Sequence, residues 1–140
     1  MIQNVNLTRL VYASALQRFG YYGIRSNLLL YLTTDLLMSD SYAGQVYGLF
    51  YGSLSLTSLA GGLLADILLG DRFAGVLGLA FISASHLCLV GGNSSWVMAA
   101  LILYSIGYGL FDPNLNAMVG KQYPEDKDEE SRDAAYTILY

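Results

Sequence analysis

Two long runs without formal charge limit what this chain can fold into. Residues 41–65 contain no Asp, Glu, Lys or Arg over 25 positions, and residues 73–111 contain none over 39. A helix crossing the hydrocarbon core of a bilayer needs about 20 apolar residues. The first run holds one span, and the second holds two with a turn between them. A soluble domain wets its surface with roughly a quarter of charged residues, and this sequence has 13%. The runs therefore predict an all-α membrane protein. Spans are expected at residues 10–37, 42–65, 73–90 and 96–119, with a fifth helix cut off at 131–140 and a cytoplasmic loop at 120–131.

The polar N-terminus lacks the basic stretch of a cleaved leader, and the apolar run behind it is too long for one. Cys88 is the only cysteine, so there is no disulfide frame and no cysteine-rich metal site. Gly91, Gly92, Asn93, Ser94 and Ser95 read as the turn between spans three and four. Arg9, Arg72, Lys121, Lys127 and Arg132 all fall on one side of this layout. Basic residues in short loops mark the cytoplasmic side, so the N-terminus is expected in the cytoplasm, with the protein in the inner or plasma membrane. Gly44, Gly48 and Gly52 recur every four residues along span two, continued by Ser58 and Gly62. Such a ridge is expected to let a neighbouring helix approach closely.

The first span carries the polar chemistry. Arg18 and Arg25 lie well inside it, and each costs roughly 2.5–3.5 kcal/mol at mid-bilayer on insertion scales. Ser14, Arg18, Tyr22 and Arg25 fall at i, i+4, i+8 and i+11, with Gln17 and Tyr21 beside them. A stripe of two cations and two phenols must face a bundle interior or a wet cavity, because lipid offers no partner. It can be a fixed ion pair that locks the bundle, or a cavity for an anionic or zwitterionic solute. Span four contributes Asp112 beside Pro113, whose missing N–H kinks the helix and frees carbonyls. Asp112 is the natural counter-charge for Arg18 or Arg25. His86 is a lone histidine, read as packing. No catalytic arrangement, metal set, cofactor loop or basic nucleic-acid patch is present, so neither an enzyme nor a nucleic-acid binder is expected.

Several segments, in order, resemble one known family. Gln17-Arg18-Phe19-Gly20-Tyr21-Tyr22-Gly23-Ile24-Arg25 followed by Leu30-Tyr31-Leu32 resembles the first helix of the proton-dependent oligopeptide transporters of the major facilitator superfamily. Gly61-Gly62-Leu63-Leu64-Ala65-Asp66 with Gly70-Asp71-Arg72 is similar to that family's loop between helices two and three. Gly107 to Asn114 with Gly120-Lys121-Gln122-Tyr123 resembles its fourth helix and exit, and Arg132 to Tyr140 resembles the start of its fifth. The resemblance implies a transporter of two six-helix bundles with alternating access around a central site. It implies proton-driven import of di- and tripeptides or related anionic solutes. Tyr21, Tyr22 and Arg25 then line the substrate cavity, Arg25 meeting the peptide carboxylate, and Asp66 and Arg72 belong to the cytoplasmic gate.

The sequence departs from the family pattern at defined positions. The two first-helix glutamates of the family pattern Glu-x-x-Glu-Arg are Ser14 and Gln17 here, the fourth-helix lysine is Asp112, and a second-helix tyrosine corresponds to Ser55. Two Glu, one Arg and one Lys sum to zero charge, as do Arg18 and Asp112 alone. Electroneutrality thus survives while the titratable first-helix acids do not, and the expectation is that proton coupling is lost, altered or relocated. Two readings follow. One is the N-terminal part of a peptide-type transporter, its partners being the bilayer, a small peptide-like solute and a missing C-terminal bundle. The other is a truncated, non-transporting subunit or scaffold among other membrane proteins.

Overall fold

A computed structural model describes residues 2–122 together with 133, 134, 136 and 137. Four long helices run in antiparallel succession: α1 Ile2–Leu30, α2 Asp40–Leu64, α3 Asp71–Leu89 and α4 Ser94–Gln122. Among the described residues there is no strand. Residues 123–132, which hold most of the expected charged loop with Lys127 and Arg132, lie outside the described set. Residues 133, 134, 136 and 137 are helical, and the Tyr136 hydroxyl donates to the Asn116 carbonyl of α4 at 3.2 Å.

Three helices are long and apolar enough to cross a membrane: Asp40–Leu69, Asp71–Leu89 and Ser94–Lys121. At 1.5 Å per residue, the 29-residue α1 is about 43 Å long, ample for a span. Its polar content comes from Gln3, Asn4, Asn6, Thr8 and Arg9 in its first turns together with the Gln17–Arg25 region read above. It begins at Ile2 rather than near residue 10.

Local chemistry sets the ends. Ser39 precedes α2 in an extended conformation, and its side chain accepts from the Tyr42 N–H at 3.4 Å. The Asn93 side chain does the same for Trp96 N–H at 3.0 Å. Gly92 has φ 67, and a side chain on Gly91 would run into the Trp96 ring, so that double glycine is what the turn geometry demands. Both α1 and α2 finish in a single wide π turn, Tyr31–Asp35 and Ala65–Leu69. Gly70, at φ 74, breaks the chain between α2 and α3.

The most extensive packing is between α3 and α4, followed by α2 and α4, so α4 is the central helix. Glycines make both contacts close. A Cβ on Gly78 would lie 2.7 Å from the Gly107 carbonyl oxygen, and one on Gly107 would lie 2.7 Å from that of Gly78. A Cβ on Gly61 would overlap the Gly109 carbonyl oxygen, and one on Gly109 would overlap Thr57. Gly109 is four residues before Pro113, whose ring cannot donate to it, so the bare face of Gly61 covers a carbonyl that the helix leaves unpaired. Asn114 donates its side-chain amide to the Leu110 carbonyl at 2.7 Å in the same turn.

The glycine ridge is corrected here. Gly44, Gly48 and Gly52 are exposed and meet nothing within 4 Å among the described residues. The close approach is made about two and a half to five turns further along, at Gly61 and Gly62, where Pro113 rests 3.5 Å from a Cβ on Gly62. Gly62, which continues that ridge about five turns from Gly44 on the same face, is where the ridge meets α4, and Gly61 packs on the face beside it. In the native polypeptide held in detergent, Gly61→Ala is expected to destabilise by about 1–3 kcal/mol, because backbone rather than a flexible side chain must yield. Gly48→Ala is expected to be neutral or stabilising by about 0.5–1 kcal/mol, as for any exposed helical glycine. Thermal melting of the two variants checks this contrast.

Candidate functional site: an aromatic cleft beside two arginines

The inward face of α1 is drawn by burial. Ser14 is 2% exposed and Gln17 5%, with Leu28 buried further on and Tyr21 and Ile24 half-buried between them. Gln17 donates its side-chain amide to the Tyr104 hydroxyl of α4 at 3.3 Å. Ser14 accepts from the Arg18 Nε at 3.3 Å. Both side chains are therefore neutral groups engaged in hydrogen bonds. His86 of α3 closes this joint. Its ring stands edge-on to Tyr104 at 5.8 Å, and its Nε2 would be 2.9 Å from a Cβ on Gly20, so the imidazole fills the space that glycine leaves on α1.

The two arginines flank this face rather than lying on it. Arg18 is half-buried and falls within the electrostatic reach of Asp112, which is itself half-buried on α4. The ion pair closed within 4 Å among the described residues is a different one, Lys121 with Asp71, which ties the end of α4 to the start of α3. Arg18 and Asp112 thus influence each other through space rather than through a direct bridge. Arg25 is exposed, with its guanidinium carbon 5.9 Å from the centre of the Tyr51 ring, a cation–π distance. Tyr22 is 54% exposed and touches Tyr21 edge-on at 5.3 Å.

Tyr21 joins two other phenols. It stacks on Tyr108 of α4 at 5.9 Å and meets Tyr51 of α2 edge-on at 6.2 Å. Between these rings opens a cavity of about 340 Å³, lined by Tyr21, Tyr51, Leu54, Ser55, Ser58 and Tyr108. Tyr51, Ser55 and Ser58 are spaced i, i+4 and i+7, so one face of α2 forms its floor. A larger groove of about 470 Å³ lies elsewhere between α2 and α4, with mostly apolar walls. Its Ser53 and Ser105 hydroxyls bond to each other at 2.8 Å. The smaller cavity has the polar convergence of a ligand site; the larger one does not.

Sequence reasoning missed Tyr51, Ser58, Tyr104 and Tyr108. A signal existed: Tyr47, Tyr51, Ser55 and Ser58, and likewise Tyr104 and Tyr108, repeat at helical spacing inside charge-free runs, the second ending at Asp112. Asp66 and Arg72 are both exposed at the end where α2 stops and α3 starts, the end that also carries Lys121. Among the described residues, no cluster of His, Cys, Asp or Glu could hold a metal ion.

Long apolar helices packed around a polar, aromatic cleft define a multi-pass helical membrane protein. The Major Facilitator Superfamily profile matches residues 10–138, and the chain belongs to that family. It is 32% identical to the peptide transporter YePEPT of Yersinia enterocolitica, over 89% of this chain and 25% of that protein. It is 34% identical to a di-/tripeptide transporter of Lactococcus lactis, over 88% of this chain and 26% of that one. Among solved structures, a POT family transporter in complex with 5-aminolevulinic acid superposes with a TM-score of 0.91 at 28% identity, covering 96% of this chain and 28% of its own. The peptide transporter POT in complex with sulfate gives the same values. The chain thus spans about a quarter of the length of the curated relatives it matches. These relatives are transporters, not enzymes.

The Gln17–Tyr104 bond generates a test. Tyr104→Phe leaves the buried Gln17 amide without its partner and is expected to cost about 1–3 kcal/mol. Adding Gln17→Leu removes the stranded amide as well, so the double variant is expected to melt higher than the sum of the single losses predicts. Additive losses would show that the two side chains are not coupled.

Proposed function

We propose that this chain belongs to a transporter of small peptides or peptide-like zwitterions. The observation that carries the reading is the meeting of Arg25 with the Tyr21–Tyr51–Tyr108 cavity, on a chain whose relatives include peptide transporters. A guanidinium beside aromatic faces suits a carboxylate, which it can hold through two parallel hydrogen bonds. The volume, near the lower end of the usual range for ligand pockets, suits a small solute. Tyr21, Tyr22 and Arg25 serve the solute carboxylate side in this reading. Arg18 and Asp112 form a charge-balanced pair deeper in the bundle, Asp112 being the group able to receive an ammonium. Asp66 and Arg72 act at the cytoplasmic gate, with the N-terminus on that same side, as the positive-inside rule orients the basic ends.

Proton coupling in this protein is altered. The two first-helix positions at which the family carries acids are held by Ser14 and Gln17, whose hydrogen bonds run to Arg18 and Tyr104. An amide and a hydroxyl do not exchange protons in the physiological range, so they cannot carry one per transport cycle. The same neutral joint is what a non-transporting scaffold would also retain, and uptake separates the two.

The test uses the native full polypeptide in liposomes with radiolabelled dialanine. Saturable uptake is expected. Arg25→Ala should reduce it at least 10-fold, while an inward pH gradient should leave it little changed. Absence of dialanine binding and uptake would leave the scaffold reading standing, and uptake proportional to the pH gradient would sink the altered coupling.

A further inference from the structure

One buried polar atom in this bundle lacks a partner. The Tyr51 hydroxyl is buried and makes no hydrogen bond among the described residues. Its neighbour Tyr47 is close, ring centroids 4.6 Å apart and tilted by 45°. Leaving a buried hydroxyl unpaired is costly, and native proteins leave few such groups without a reason. Tyr51 lines the 340 Å³ cavity, so the reason can be sought there.

Two further features point to the same partner. Tyr51 carries the Arg25 guanidinium over its ring at 5.9 Å, so an anion drawn to Arg25 arrives beside the phenol. A phenol O–H donates well to a carboxylate, and a hydrogen bond to a charged acceptor is stronger than one to a neutral acceptor. The ring itself is fixed on three sides, by Tyr21, Tyr47 and Phe50. The hydroxyl is therefore preorganised, and using it costs little conformational entropy.

We propose that Tyr51 is a specificity-determining residue that donates its hydroxyl proton to the carboxylate held by Arg25. Together the two side chains form a clamp that favours solutes ending in a free carboxylate over their neutral counterparts. This rests on the peptide-transport reading above. It adds to that reading a residue on α2, and it makes the selectivity for the charged terminus the property of a pair rather than of one arginine.

The experiment compares Tyr51→Phe with Tyr47→Phe in the native full polypeptide. It measures dialanine binding by calorimetry and the melting temperature without ligand. A hydroxyl held for structure would lower the melting temperature when removed. An unpaired hydroxyl kept for a ligand should leave it unchanged or raise it. The expected result is an unchanged or higher melting temperature for Tyr51→Phe with dialanine affinity reduced 5- to 20-fold. The same variant should lose less than twofold against alanyl-alaninol, which lacks the carboxylate, and Tyr47→Phe should stay within twofold of the parent for dialanine. Parent protein that binds dialanine with Tyr51→Phe binding it equally well overturns the clamp and leaves the transport reading intact; it would mean that water alone satisfies the phenol. A drop in melting temperature for Tyr51→Phe at unchanged affinity overturns it as well. Parent protein that does not bind dialanine overturns both.

Discussion

The crossing of α2 over α4 depends on a proline that withholds a hydrogen bond and a glycine that makes this tolerable. Pro113 gives no N–H to Gly109, and the exposed carbonyl would be expensive in a medium without water. Gly61 brings its bare backbone against that oxygen, close enough that no side chain fits. The missing donor therefore does not weaken the bundle; it marks the place where α2 is seated. From this seat, Leu54, Ser55 and Ser58 face the cleft and Tyr51 reaches the Tyr21 ring of α1.

Fold class was legible because it is written in long-range averages. A charge-free run of 39 residues has few solutions. Which face of a helix packs was harder to read. Gly44, Gly48 and Gly52 form a regular pattern, yet Gly61 does the close packing because only there does a neighbour offer a bare carbonyl. The cleft was half legible. Charged groups in a membrane attract notice at once, so Arg18, Arg25 and Asp112 stood out. Tyrosines do not, since a phenol is equally at home in a core or at an interface. Tyr51 and Tyr108 acquire meaning only when three helices bring them to Tyr21. The partner of Gln17, 87 positions away in Tyr104, is invisible to any local reading.

Helix α1 is held by a seam of uncharged polar contacts. The amide of Gln17, the phenol of Tyr104, the ring of His86 and the missing side chain of Gly20 fit together without any formal bridge. Charge is kept at the margins, where Arg18 senses Asp112 and Arg25 covers Tyr51. That division gives a helix that docks by shape and hydrogen bonding while its cations stay available to the cleft.

The wide turns that close α1 and α2 have a mechanical consequence. Each is closed by a bond from residue i+5, Leu36 to Tyr31 at 3.1 Å and Gly70 to Ala65 at 2.8 Å, so each accommodates one residue more than tight winding would use. The two lie at opposite ends of the bundle, one beside Asp35 and the other enclosing Asp66. Such a turn is a store of slack: passing one residue into or out of it lets a helix end lengthen or rotate without breaking the ladder behind it. In a bundle clamped at its middle by glycine-to-backbone contacts, movement is most readily absorbed at those two ends.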